Sequence, residues 1–368
     1  MRSILVILFL LCLCAICAGQ SGRVKQIPED PEKDTRPRSV KDKTHSKNVA
    51  ALPVPAATPA STPAPTPKPT PAPVSDDDDV ISVNSILIPI PASVTDETGR
   101  AMTTLQLKDF DLFVDDKPAE IADLSHSDAP VRMALLFDNS SSLTTARDFE
   151  LKAATRFLRR ILRPGKDQAA LYTISTINNL EQPMTPNIGS LVAAIDALPP
   201  PSGATALLDG IVDASKYLSG YDGRRVIVIV SDGEDTISDV ETTLEKVVQS
   251  VQLKNCQVYV VKTTDFENYT KTGNRGGNAN IMNLIAEHRM LEITKQTGGA
   301  VYSPLDEKEL DAAFVRIAAE LSQQYILSYY PEDKMLSNDY FHQIVLKVKN
   351  QPGLTVRTRK GYYVPRKR

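Results

Sequence analysis

A chain of 368 residues carries 42 basic and 45 acidic side chains, for a formal net charge of −3. That length allows two domains plus tails. The near-neutral balance excludes a nucleic-acid binder held by a general basic field.

Met1-Arg2-Ser3 followed by the apolar run Ile4 to Ala18 has the charge order and length of a signal peptide. The run is short for a bilayer span. Small residues at Cys17, Ala18 and Gly19 offer a cleavage point near Gln20, so residues 1–19 read as a signal peptide and the chain as exported, to the periplasm, cell envelope or outside. The competing reading is a retained N-terminal anchor, the one membrane contact the sequence offers. Lipid modification of Cys17 is disfavoured by Ile16, where a bacterial lipoprotein signal has Gly, Ala or Ser. Cys12, Cys14 and Cys17 leave with this segment, so a mature chain keeps Cys256 alone and forms no internal disulfide.

Residues 20–79 read as a disordered, Pro-rich linker. Their first part is polar and charge-mixed without apolar periodicity. Pro53 to Pro73 then holds nine prolines among Ala and Thr. Proline lacks the amide proton and fixes φ, so this stretch is an extended spacer of about 65 Å at about 3 Å per residue. Asp76 to Asp79 is its solvated acidic end.

Residues 80–130 form an N-terminal β module. Val80 to Val94, Leu105 to Val114 and Ala119 to Leu124 read as strands, punctuated by turns at Asp96–Gly99 and Asp115–Pro118. About fifty residues make a thin core alone. Further strands at Tyr325–Tyr330, His342–Val348 and Leu354–Val364 close the chain, and residues 324–365 are expected to complete the same module. The domain between, residues 131–323, is then an insertion, which close-lying domain termini permit. Two separate β appendages are the alternative.

Val131 to Phe137 is apolar and too short for a helix, hence a buried central strand. Strands and helices alternate after it: helix Leu143–Leu162 with Phe149, Ala153, Arg156, Phe157 and Arg160 at helical spacing, strand Asp167–Ser175, and helices Ser190–Ala197 and Ala206–Leu218. Strand Arg225–Ser231, helix Val240–Leu253, strand Gln257–Thr263, helix Met282–Thr297, strand Ala300–Ser303 and helix Asp306–Gln323 follow. Such alternation implies a mostly parallel sheet with helices on both faces. Asp138-Asn139-Ser140-Ser141-Ser142 falls at the C-terminal end of the first strand, the edge where ligands bind in such sheets. One carboxylate and two hydroxyls from one loop suit a hard divalent cation. The alternative is that the serines merely cap the following helix.

Asp138-x-Ser140-x-Ser142, then Thr205 in Gly203-Ala204-Thr205, then Asp232 after Val226–Ser231, resembles the metal-ion-dependent adhesion site of von Willebrand factor A domains. The flanks are similar to those of a bacterial von Willebrand factor A-related family: Val94-Thr95-Asp96-Glu97-Thr98-Gly99-Arg100 and Leu105 to Asp115 before the domain, Tyr325 to Pro331 and Arg357 to Tyr362 after it. The resemblance implies a Rossmann-like α/β domain inserted in, or flanked by, a small β-sandwich-like module. It implies Mg2+ or Mn2+ at Asp138, Ser140, Ser142, Thr205 and Asp232. Asp138 would act mostly through hydrogen bonds, Ser140 and Ser142 through hydroxyls, Thr205 in the ligand-bound state, and Asp232 directly or through water. The implied partner is a protein presenting an acidic side chain.

Two other classes compete. A metal-dependent phosphoesterase of haloacid-dehalogenase type needs an Asp two residues after Asp138, where Ser140 stands. A serine hydrolase lacks both a Gly-x-Ser-x-Gly elbow and a triad context for His45, His126, His288 or His342. The expectation is therefore a non-enzyme. A structural envelope tether with a vestigial site is the third class, and retention of all five motif positions weighs against it.

Overall fold

The computed structural model describes residues 87–98, 100–126, 129–141, 147–274, 280–332 and 340–363. The expected signal peptide, the Pro-rich linker, residues 80–86 and Ser142 lie outside them. The described chain opens on β1 (Ile88–Thr95), β2 (Phe110–Val114), β3 (Lys117–Ala119) and β4 (Asp123–His126). Ile88, Ile90, Ala92 and Val94 of β1 are buried, the alternation of a strand with one face on a core. The expected strand start at Leu105 is corrected: Leu107–Asp109 is a 3-10 turn, because the Asp109 carboxylate accepts the Gln106 amide at 2.8 Å.

Next come β5 (Val131–Asp138), α1 (Arg147–Ile161), β6 (Gln168–Ile174), β7 (Asn179–Thr185), α2 (Ile188–Asp196), α3 (Leu207–Leu218) and β8 (Arg224–Ser231). They are followed by α4 (Leu244–Leu253), β9 (Cys256–Lys262), α5 (Thr264–Thr272), α6 (Ile281–Thr297), β10 (Val301–Tyr302) and α7 (Glu307–Gln323). The strands make one six-stranded sheet in the order β10-β9-β8-β5-β6-β7, parallel except for β7. Met133, Leu135 and Phe137 join the core under α1, α2 and α7, whereas Ala134 and Leu136 join the one under α3, α4 and α6. Helices on both faces explain why the central strands read as unbroken apolar runs. This is the mixed α/β, Rossmann-like architecture expected.

Three local expectations change. β7 and α5 were not anticipated: β7 is a half-exposed edge strand and α5 is polar, so neither shows an apolar period. The buried stripe of α1 is Glu150, Ala153, Ala154, Phe157, Leu158 and Ile161, while Arg156 and Arg160 are exposed. The helix expected from Val240 begins at Leu244, where the Thr243 side chain caps it.

The chain then returns through β11 (Tyr325–Tyr329), β12 (Phe341–Val348), β13 (Thr355–Thr358) and β14 (Gly361–Tyr363). Two four-stranded antiparallel sheets result, β13-β1-β11-β4 and β14-β12-β2-β3, each mixing strands from both ends of the described chain. Their inner faces share one core of Ile90, Phe110, Leu112, Tyr325, Leu327, Ile344 and Tyr362 among others. The Tyr325 hydroxyl accepts the Leu105 amide at 2.9 Å, so its polar tip is satisfied. Pro89 and Pro91 fall where β1 is bonded to β11 alone, since β13 pairs only from Ala92 onward. Their missing N–H groups face an unpaired edge, the place a sheet tolerates proline.

β1 lies between β11 and β13, so truncation after Gln323 strips it of both neighbours. The shortened chain is expected to aggregate in size-exclusion chromatography, and a monomer with a sharp melt would show instead that the N-terminal strands stand alone. Leu327→Ala in the full chain is expected to cost about 2–5 kcal/mol in urea unfolding, as a fully buried leucine lost from a close-packed core.

Candidate functional site

β5 connects through α1 to β6 on one side, while β8 lies on its other side, so the strand order reverses across β5 and β8. The crevice outside the strand ends at such a reversal is the binding place of open α/β sheets. Asp138 ends β5 and Asp232 follows β8, and the pairing of Phe137 with Val230 sets the two ends level.

Asp138 is fully buried and held on both oxygens. Its Oδ1 accepts the Ser140 amide at 3.0 Å, and its Oδ2 accepts the Ser231 hydroxyl at 2.6 Å. Burial, then the charge of Asp232, pushes its carboxyl up to about 7, against the opposing pull of those hydrogen bonds. The Asn139 amide donates to Ile174 O at 2.7 Å, continuing the ladder one step past β6.

Three loops are stitched together around this point. Ser141 donates to Gly203 O through its amide at 3.1 Å and its hydroxyl at 2.9 Å, and the Ser202 amide donates to Asn139 O at 2.8 Å. The Thr205 amide donates to the Thr236 hydroxyl at 2.9 Å, and Thr205 O accepts the Thr236 amide at 2.8 Å. These bonds fix Thr205 by its backbone and leave its hydroxyl out. Gly203 has φ +79°, and a Cβ there would run into the Thr176 hydroxyl, which accepts the Ala204 amide at 2.9 Å. The half-buried Asp232 accepts the Glu234 amide at 2.9 Å. Ser142 is outside the described residues.

Asp235 caps α3: its carboxylate accepts the Leu208 amide at 3.1 Å. Glu234 is half-buried, and its carboxyl is raised by burial and then by Asp232.

Groups that the sequence reading missed lie behind this crevice. Glu150 of α1 is fully buried with both carboxyl oxygens unpartnered, and Thr263 and Glu267 each bury an unpartnered oxygen. Burial, then Glu267 and Asp138, pushes the Glu150 carboxyl up to about 8. The Glu267 amide donates to Thr263 O at 2.9 Å, placing those side chains one turn apart on α5. Glu267 also pairs with Lys271 at 2.8 Å. The readable signal was Glu150 in register with Ala153, Ala154 and Phe157, a charge on an apolar stripe.

Residues 133–234 match the family profile of the von Willebrand factor type A domain. This chain carries a von Willebrand factor type A domain. No curated protein matches it. Among solved structures, the chain is similar to a D319A mutant of the PilB minor pilin from Streptococcus sanguinis, at 13% identity and TM-score 0.42, over 53% of this chain and 62% of the pilin. It is also similar to the conserved hypothetical protein BatB from Bacteroides thetaiotaomicron, at 16% identity and TM-score 0.41, over 52% of this chain and 98% of that one. A third is the vWF domain of the type V pili tip protein Mfa5 from Porphyromonas gingivalis, at 12% identity and TM-score 0.40, over 52% and 94%. The match thus spans less than two thirds of the pilin's own length. No helix among the described residues is long and apolar enough to cross a membrane.

A carboxyl raised from 4.5 to about 8 keeps its proton in the folded chain where the unfolded chain has lost it. Its contribution is complete below pH 4.5 and disappears as pH rises through about 8. Chelator-treated protein is therefore expected to melt several degrees lower at pH 8.5 than at 5.5, and Glu150→Gln to flatten that slope. An unchanged slope in scanning calorimetry would dismiss Glu150 as its source.

Proposed function

We propose that this chain is an exported, non-enzymatic protein-binding module. In this reading the A domain holds Mg2+ or Mn2+ at Asp138, Ser140, Ser142, Thr205 and Asp232 and receives a carboxylate from a protein partner. Residues 1–19 are the signal peptide, 20–79 the linker, 131–323 the binding domain, and 80–130 with 324–365 one supporting module. The observation that carries the reading is the buried, doubly bonded Asp138 at the strand reversal, with three loops fixed around it.

The donor chemistry fits such an ion. Asp138 spends both oxygens inside the protein, so it orients the loop and supplies charge. The hydroxyls of Ser140, Ser142 and Thr205 would ligate, with Asp232 directly or through water. Oxygen donors with few charges suit a hard cation and leave it under-neutralised, which is what a partner's carboxylate needs. The unpartnered oxygens of Glu150, Glu267 and Thr263 favour a nearby cation as well, since buried polar atoms without partners are costly. When bound, the ion supplies a Lewis-acidic anchor for that carboxylate.

Exposed apolar residues flank the crevice and support a protein partner. Arg289 donates to Gly233 O at 3.0 Å, so the turns of α6 before it rise about 12 Å past the strand ends. Those turns expose Ile281, Met282, Leu284 and Ile285, and the loop after β8 exposes Ile237 and Val240. Apolar patches of this kind mark interaction surfaces.

Asp138→Ala is expected to weaken Mg2+ or Mn2+ binding at least tenfold in calorimetry while the metal-free melting temperature stays within a few degrees. Unchanged affinity would remove the site assignment. Capture from envelope extract in magnesium, lost in chelator, separates the binding module from a tether with a vestigial site.

A further inference from the structure

On the flank of the A domain, between α3 and α4, lies a groove of about 680 Å3. Ile177, Ala206 and Val212 give it an apolar part, and Ala206 directly follows Thr205 at the crevice. The rest of the lining is acidic. Asp209 and Asp213 stand on α3, and Asp239 and Glu241 come from the loop before α4. Lys246 is the one cation among the described lining residues, and it lies 3.9 Å from Glu241.

These acids are held together by the backbone rather than by cations. Asp209 accepts the Asp239 amide at 2.9 Å, and Asp239 accepts the Glu241 amide at 2.8 Å. Asp213 feels Lys216 one turn on, yet burial and then Asp209 outweigh that pull and raise its carboxyl. Counting Lys216 with Lys246 against the four carboxylates still leaves the groove two negative charges in excess. A cleft lined by one sign of charge concentrates the opposite sign.

β14 delivers the chain to this flank. It packs along α4, and Arg359 just before it donates to Gln252 O at 3.3 Å and Asn255 Oδ1 at 2.8 Å, at the C-terminal end of that helix. Tyr363 lies at the other end of β14, where burial and then the charge of Glu245, in the first turn of α4, raise its hydroxyl. The strand thus runs toward the N-terminus of α4, beyond which Glu241 and Asp239 stand. Residues 364–368 follow, outside the described residues, and include Arg366, Lys367 and Arg368. Five residues extend to about 17 Å at most, enough to pass a helix about 10 Å across. We propose that Arg366-Lys367-Arg368 of the same chain docks in the α3–α4 groove, its charges set against Asp209, Asp213, Asp239 and Glu241. Long basic side chains lay their stems on apolar surface while the heads reach carboxylates, which suits this mixed lining. Seated there, the segment latches β14 to the flank of the crevice and closes the groove to other basic ligands. The latch needs no metal, so it stands apart from the cation reading of the crevice.

The test is zero-length carbodiimide cross-linking of the full chain in chelator, with chymotryptic peptides mapped by mass spectrometry. In the monomer, Lys367 is expected to couple chiefly to Asp213, Asp239 or Glu241. Its yield is expected to fall about fivefold in about 0.5 M sodium chloride, since salt screens exposed charges. Asp213→Asn combined with Glu241→Gln is expected to lower the yield by a similar factor, and Glu307→Gln on α7 to leave it unchanged. Asp213 and Glu241 are exposed, and the salt series on the unaltered chain decides the matter should their variant fail to fold. Coupling of Lys367 to Glu245 alone, coupling only between copies, a yield unmoved by salt or by the double variant, or no coupling at all would each overturn the proposal.

Discussion

The pairing of β5 with β8 constrains everything at the C-terminal edge of the sheet. Because Phe137 lies opposite Val230, Asp138 comes level with Ser231, and Asp232 enters the same crevice one residue on. Like charges in a buried place repel, and burial adds to the cost. The fold answers by anchoring Asp138 between a serine hydroxyl and an amide, and by leaving Asp232 half-exposed. Behind them burial keeps Glu150 protonated, and Glu267 is paired with Lys271 at 2.8 Å. The charge that remains at the crevice is that of Asp138 and Asp232, and it is the physical reason the crevice is proposed as a cation site.

The opposite edge carries the attachment of the sandwich. There arginines meet helix C-termini, and the sandwich is attached through the same groups. Arg224 bonds Gln324, whose amide donates to Ser93 Oγ of β1 at 3.0 Å, while Arg357 of β13 pairs with Glu320 of α7. Tyr302 donates to the same carboxylate at 2.6 Å. The sandwich is thus attached at the strand N-termini, the edge opposite Asp138 and Asp232, through arginines that bond helix ends and the carboxylate of Glu320.

Much of this was legible in the sequence, for identifiable reasons. Central strands such as Val131–Phe137 and Val226–Val230 are buried on both faces and so announce themselves as apolar runs. Capped helices announce their ends too: Asn280 and Asp306 each accept an amide three residues on. β7 was invisible because an edge strand needs no apolar face, and α5 because nine mostly polar residues carry no period. Asp138 and Asp232 could be placed at one edge of the sheet because each stands at the end of an apolar strand. Ser231 and Glu150 could not, because their roles depend on which strand and helix pack beside them.

The attachment of the A domain has a mechanical consequence. The chain leaves the sandwich after β4 and returns on β11, and His126 and Tyr325 at those two points are paired. A partner pulling on the crevice therefore loads β11 from its Tyr325 end. A tether held through the residues before Leu87 loads β1 from its Ile88 end. Ile88 pairs with Tyr329 and Ala92 with Tyr325, so the two forces enter at opposite ends of an antiparallel pair. That is a shear geometry, in which the inter-strand hydrogen bonds share the load and must fail together. The same strands pulled from one end would unzip bond by bond. Lifetimes under force follow the unfolding rate rather than the equilibrium stability, so the route of the chain through β1 and β11 sets how long an anchored module holds.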